Sequence, residues 1–86
     1  METALTKKSL TSYLVNKVAE ELDMAPAQVD TNELLSRYGL TSMQAVSLSG
    51  DLEKFLGHKI NPTIFWEHPS INALVNTLTK TTEDLN

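Results

Sequence analysis

The chemistry open to this chain is narrowed first by what it lacks. Its 86 residues include no cysteine, so a catalytic thiol, a thiolate metal site and a disulfide framework are all excluded. His58 and His68 stand in separate loop-like contexts with no carboxylate at metal-ligand spacing, which reads against a metal site. What remains is a hydroxyl in a particular setting. The stretch Tyr38-Gly39-Leu40-Thr41-Ser42-Met43-Gln44-Ala45-Val46 reads as a loop that stops at a glycine and then starts a helix. Thr41 and Gln44 have the spacing of a capping box, in which a Ser/Thr side chain accepts the amide three residues on while a Glu/Gln reaches back. Ser42 then falls in the first helical turn, where amides lack intrahelical partners and the positive end of the helix dipole lies. A phosphate attached there would be favoured electrostatically. Capping alone is common, so the spacing predicts a presented hydroxyl without yet giving it a use.

The elements that must position Ser42 follow from periodicity. A first helix is expected from near Thr6 or Ser9 to near Met24. Leu10, Leu14, Val18 and Leu22 recur every four residues there, with Val15 and Ala19 beside them and Lys17, Glu20 and Glu21 outside. Pro26 disfavours helix in the residue before it. Ala25 to Leu40 forms a long connection in which Val29 dips into the core. Asp30 and Glu33, a second capping-box-like pair, lead into a helical turn at Leu34 and Leu35. The second long helix is expected from Ser42 to Leu56, closed by Gly57. Asn61 caps and Pro62 opens a short helix carrying Ile64, Phe65 and Trp66; Phe65 and Trp66 read as core anchors between this turn and the last helix rather than as an acyl-binding box. Tyr38 is placed to cover the loop–helix junction. Past Pro69 and Ser70, Ile71, Leu74, Val75 and Leu78 form the apolar stripe of the last helix. Residues 1–5 and the tail from Lys80 to Asn86 read as loose ends.

The expected fold is therefore all-α, a four-helix bundle of three longer helices and one short one with a long first connection. It is read as one domain over residues 1–86, with its core at about residues 6–79. A chain of this size buries only roughly 60% of the surface its unfolded form exposes, so modest stability is expected. Apolar residues at 41% and charged residues at 21% suit a soluble globular domain. No apolar run is long enough to span a bilayer and the N-terminus lacks the apolar core of a signal peptide, so a cytoplasmic setting without membrane contact is expected. A net charge of −4 argues against nucleic acid, which is held by clustered Lys and Arg.

The second helix carries two apolar faces. At about 100° per residue, Ala45, Leu48, Leu52, Phe55 and Leu56 share the stripe expected to face the core. Met43, Val46 and Gly50 lie roughly a third to a half turn away, beside Ser42. Such a strip reads either as a docking surface for other proteins or as packing under the long connection. Gly50 weakens a helix interior by roughly 1 kcal/mol relative to alanine, which is easier to explain if a partner approaches closely there.

At this point the residues resemble the acyl carrier proteins, in particular carrier domains of modular polyketide synthases. Gly39-Leu40-Thr41-Ser42-Met43 is similar to the family signature Gly-Leu-Asp-Ser followed by a hydrophobic residue. Leu52-Glu53-Lys54-Phe55-Leu56-Gly57 matches the end of its second helix. Asn61-Pro62-Thr63-Ile64-Phe65-Trp66-Glu67-His68-Pro69-Ser70-Ile71 matches its Pro-Thr…Phe-x-His-Pro-Thr-Ile segment. The resemblance covers about residues 10 to 79. More narrowly, Ala45-Val46-Ser47-Leu48-Ser49-Gly50-Asp51-Leu52-Glu53 resembles carriers that accept fatty acids from fatty acyl-AMP ligases.

The resemblance implies a non-catalytic acyl carrier protein. A phosphopantetheinyl transferase would move 4′-phosphopantetheine from coenzyme A onto Ser42, and the arm's thiol would carry a fatty acyl or polyketide intermediate as a thioester. Hard chemistry would sit in the cofactor and partner enzymes. A fatty acyl-AMP ligase would load it, and a ketosynthase or another synthase domain would receive the cargo from a monomeric carrier. Docking would involve Thr41, Met43, Val46, Gly50 and Glu53. The sequence departs from the family where Thr41 replaces the usual aspartate, and where Gln44 and Ser47 stand in place of frequent acids. Docking should then lean on Met43 and Val46 more than on charge. The alternatives are a peptidyl carrier of non-ribosomal peptide synthesis and an unmodified helical interaction module. The start at Met1 and the short polar tails read as a free-standing protein, although a domain cut from a longer synthase would look alike.

Overall fold

A computed structural model describes residues 6–84, with side chains through Thr79. Four α-helices follow in order: α1 (Lys7–Leu22), α2 (Ser42–Leu56), α3 (Ile64–Glu67) and α4 (Ile71–Asp84). Among the described residues there is no strand. The all-α architecture expected from the sequence, three longer helices and one short one with a long first connection, is the one observed.

Helix α1 begins at a capping box, Thr6 Oγ1 accepting the Ser9 amide at 3.0 Å and Ser9 Oγ accepting the Thr6 amide at 3.1 Å. It stops short of Pro26. Asp23 takes the left-handed conformation (φ 58°), its amide donating to Glu20, and the Met24 amide reaches back to Ala19. This pair of bonds is the Schellman stop, which satisfies carbonyls left open at a helix end. Asp23 adopts the conformation usually given to glycine because aspartate tolerates it better than most residues.

The long connection is organised by two 3₁₀ turns, Pro26–Gln28 and Leu35–Tyr38. The first had no sequence signal beyond Pro26. The second comes one residue later than expected, and Asp30 with Glu33 does not form its capping box. Asp30 Oδ1 accepts the Asn32 amide instead, while Glu33 Oε1 accepts the Leu34 amide and lies 3.6 Å from Arg37. The connection is stitched to the far end of the fold: the Leu35 amide donates to Pro69, and the Asn72 amide donates to Thr31. The Tyr38 hydroxyl accepts the Asp30 amide at 2.8 Å, so Tyr38 braces the connection internally. Val29 and Leu35 are buried.

The core joins Leu10, Leu14 and Val18 of α1, Leu48 and Leu52 of α2, Phe65 of α3, and Ile71, Leu74 and Leu78 of α4. Phe65 is the anchor that α3 was expected to supply. Trp66 is not: it is 55% exposed. In a helix of one turn, consecutive side chains diverge by about 100°, so both cannot face inward. Helix α3 also starts later than expected, because Asn61 Oδ1 accepts the Thr63 amide and Pro62 with Thr63 forms a turn ahead of Ile64. At the other end, α4 continues to Asp84 where an end after Thr79 was expected. The expected loose residues 1–5, Leu85 and Asn86 lie outside the described residues.

Candidate functional site

Helix α2 starts where the sequence placed it. Thr41 is the N-cap, its Oγ1 accepting the Gln44 amide at 3.1 Å, and Gln44 Oε1 accepts the Thr41 amide at 2.9 Å. Gly39 (φ 86°) turns the chain into this start, in a conformation that a side chain would strain. Gly57 (φ 82°) ends the helix in the same way. Ser42 is the first helical residue and is exposed. Among the described residues its hydroxyl has no hydrogen-bond partner. The first turn of α2 holds no acidic side chain, so nothing there opposes a phosphate at the positive end of the dipole.

The two flanks of α2 differ. On the side facing α1, Gln44 Nε2 donates to the Glu21 carbonyl at 3.1 Å and Ser47 Oγ donates to Glu21 Oε1 at 3.3 Å. Further along, the Tyr13 hydroxyl donates to the Asp51 carbonyl and Lys17 lies 3.9 Å from the Asp51 carboxylate. The Phe55 ring stacks on Tyr13, with centroids 4.0 Å apart and planes 12° from parallel. Phe55 is thus a correction. It was expected in the core, yet it is 41% exposed, and Ser49 is buried in its stead with its hydroxyl bonded to the Val46 carbonyl. Ser49 and Phe55 lie about 60° to either side of Leu52, so the buried face is rotated toward the serine.

On the other flank Met43 is 82% and Val46 56% exposed. They do not pack under the long connection. Gly50 lies on this side with no atom within 4 Å of where a Cβ would stand, so internal packing does not require glycine there. Glu53, expected among docking residues, is engaged within the fold, where its Oε2 accepts the Ile60 amide at 3.1 Å and holds the loop leading to α3. Ser42, Ala45 and Val46 form one wall of a groove of about 220 Å³ whose other wall is Pro62, Thr63 and Trp66. Trp66, missed as a surface residue by sequence reasoning, stands beside the serine.

The histidines are apart from all this. His58 Nδ1 lies 3.3 Å from the Lys59 carbonyl and His68 Nε2 lies 3.4 Å from Thr77 Oγ1. Among the described residues no group of three His, Asp or Glu could hold a metal ion, and no helix is long and apolar enough to cross a membrane.

Residues 12–78 match the family described as the phosphopantetheine attachment site. The chain belongs to this family of carrier proteins. The carrier is 40% identical over 65 residues to a phenolphthiocerol/phthiocerol polyketide synthase polypeptide of Mycobacterium tuberculosis, a match covering 76% of this chain and 4% of that synthase. It superposes on a free-standing peptidyl carrier protein from Acinetobacter baumannii with a TM-score of 0.85 and 34% identity, covering 88% of this chain and 95% of that one. An acyl carrier protein from Anabaena sp. PCC 7120 with a variant phosphopantetheinylation-site sequence gives a TM-score of 0.81 and 32% identity, covering 94% of each chain. Carriers of this family and fold are non-catalytic, and phosphopantetheine is the group that the domain accepts. The front of α2 fits that group: an exposed hydroxyl, a helix N-terminus free of acid, and an apolar groove alongside.

Proposed function

We propose that this carrier holds a fatty acyl or polyketide intermediate, and that Ser42 is the residue bearing the arm. The observation that carries the reading is the exposed, unpartnered Ser42 hydroxyl at the head of a capped helix. A phosphopantetheinyl transferase would form the Ser42 Oγ–phosphorus bond and break the pyrophosphate bond of coenzyme A. Adenosine 3′,5′-bisphosphate would leave and the hydroxyl proton would pass to a base on the transferase. Thr41 and Gln44 hold the helix start rigid, and the first-turn amides offset the phosphodiester charge. The bound arm supplies a terminal thiol for the cargo, a group this chain lacks.

Loading by a fatty acyl-AMP ligase and delivery to a ketosynthase or another synthase domain complete the proposal. It is supported by the Ser49-Gly50-Asp51-Leu52-Glu53 run and by the polyketide synthase relative. Partners would dock on Thr41, Met43, Val46 and Gly50, with Glu53 acting through the loop it holds. The carrier is taken to work as a cytoplasmic monomer. One finding favours a second reading, a peptidyl carrier loaded with an amino acid: the similarity to the Acinetobacter peptidyl carrier.

Incubation with coenzyme A, magnesium and a broad-specificity transferase tests the attachment. Intact mass should rise by one phosphopantetheine in the parent and not in Ser42→Ala. No gain, or a gain that survives the substitution, removes the proposal. Adding ATP, a fatty acyl-AMP ligase or an amino-acid adenylating enzyme, and candidate acids then separates the two cargo classes by the second mass increment.

A further inference from the structure

Trp66 is the only tryptophan of the chain, and it is 55% exposed on a one-turn helix whose neighbouring Phe65 is buried. Its indole stands in the wall of the groove of about 220 Å³ that has Ser42 in the opposite wall. No charged residue lines this groove. Its polar side-chain groups are the Ser42 and Thr63 hydroxyls and the Trp66 indole N–H, and Thr63 Oγ1 already donates to Asn61 Oδ1, leaving its oxygen as an acceptor. The site thus combines an attachment point, a largely apolar trough and the Thr63 acceptor.

We propose that this groove seats the root of the arm, with the dimethyl-bearing carbon of the pantoyl unit against the Trp66 indole and the Val46 side chain. The inference rests on attachment at Ser42. In phosphopantetheine a single methylene separates the phosphate ester oxygen from a quaternary carbon bearing two methyl groups. That is a compact apolar unit that cannot travel far from the serine. A hydroxyl and the first amide follow, and the hydroxyl can donate to Thr63. Because the ligand is tethered, its second contact is intramolecular and samples the groove at an effective concentration in the millimolar range. A shallow trough can therefore be filled by a group that would not bind free in solution. The seat fixes the direction in which the arm leaves the helix, while the thiol end stays mobile beyond the groove. A second groove of about 320 Å³, lined by Leu35, Leu40, Phe65 and Pro69, lies on the other side of Trp66. It does not include Ser42, and so it is further from the root.

The test uses isotope-labelled protein converted to the holo form with unlabelled coenzyme A. Filtered NMR spectra should show contacts from the pantoyl methyls to the Trp66 ring and the Val46 methyls. The pantoyl methyl signals should be displaced upfield from their positions in free phosphopantetheine. Acrylamide should quench Trp66 fluorescence less in the holo form than in the apo form. Trp66→Ala should still gain mass at Ser42 and lose the upfield displacement; should that variant unfold, Trp66→Leu serves the same purpose. Methyl signals unmoved from free phosphopantetheine, or contacts confined to Leu35 and Leu40, overturn the seat while attachment stands. Absence of any mass gain at Ser42 overturns both.

Discussion

The two flanks of α2 are built from similar lengths of the same helix and are used in opposite ways. Toward α1, Gln44, Ser47, Asp51 and Phe55 each have a partner on that helix. Away from α1, Ser42, Met43, Val46 and Gly50 meet solvent or the Trp66 groove. The polar positions, where a charged docking face would be sought, are spent on internal packing. The apolar positions are left outside. Met43 and Val46 lie outside the core and, with Trp66 across the groove, form a contiguous apolar patch of the kind that marks an interaction site. The capping boxes sharpen the contrast. Thr6–Ser9 and Thr41–Gln44 are the same device, yet the first is followed by Lys7 and Lys8 and the second by Ser42 and Met43. A cap presents whatever follows it; the surroundings decide whether that is a site.

The largest effect expected on the open flank, short of removing Ser42, comes from Met43→Ser combined with Val46→Ser. Loading by the partner adenylating enzyme should fall at least tenfold in kcat/KM, about 1.4 kcal/mol or more. Unfolding should change by no more than about 0.5 kcal/mol, since neither side chain is in the core. Urea melts and loading kinetics on one sample decide the matter. Unchanged loading would mean that partners dock elsewhere. If instead activity collapses between low and moderate salt, charge governs docking, contrary to what the open flank implies.

On the closed flank the pattern reverses. Phe55→Ala removes the stack on Tyr13, and with the partial burial of the ring this should cost about 1–2 kcal/mol of stability. Mass gain at Ser42 and loading should stay at parental levels while the protein is folded. A variant that melts like the parent but loads poorly would place Phe55 in the docking surface and erase the distinction between the flanks.

The helices themselves were legible because their signals are local. The limits of α2 are set by Thr41 with Gln44 at one end and Gly57 at the other, and the leucines of α1 and α2 repeat over several turns. What was not legible depends on neighbours. Periodicity said that one face of α2 is buried, but which residues border that face depends on where α1 lies. Hence Phe55, expected inside, lies at the edge, and Ser49 is buried. Helix α3 is a single turn and has no period to read, so Trp66 could not be told from Phe65. The 3₁₀ turn at Pro26–Gln28 is fixed by the Gln28 side chain accepting the Ala25 amide, a pairing without a strong sequence mark. At the site, the exposed serine and the apolar strip were readable. The tryptophan across the groove was not, because it comes from another element.

Gly50→Ala asks whether the open flank needs its flat spot. The added Cβ meets nothing within 4 Å beyond its chain neighbours and the backbone of its own helix, so the helix should gain up to about 1 kcal/mol. If a partner approaches closely at Gly50, loading should fall even as stability rises. A more stable variant that binds every partner as well as the parent would end the close-approach idea, leaving Met43 and Val46 as the whole of the surface.

The smallest effect comes from titrating the closed flank. Burial, and then the Asp51 carboxylate, raise the Tyr13 phenol above its ordinary 10.0, while Lys17 pulls against them. Glu20, and then Asp51, raise Lys17 above 10.5. In both cases the folded chain holds its proton more tightly than the unfolded one. Stability contributed by either group is therefore complete below its ordinary value and declines as pH rises through the raised folded value. The melting temperature of the parent should begin to drop above about pH 10. Tyr13→Phe should be less stable at every pH, having lost the hydrogen bond to the Asp51 carbonyl, so the heights of the two curves say nothing about titration. Their shapes do: the phenylalanine variant should lose less on going from about pH 9.5 to about pH 11. Parallel curves across that range would show that the phenol ionises as easily folded as unfolded, and that the contact between Tyr13 and the α2 backbone is looser than 3.0 Å implies.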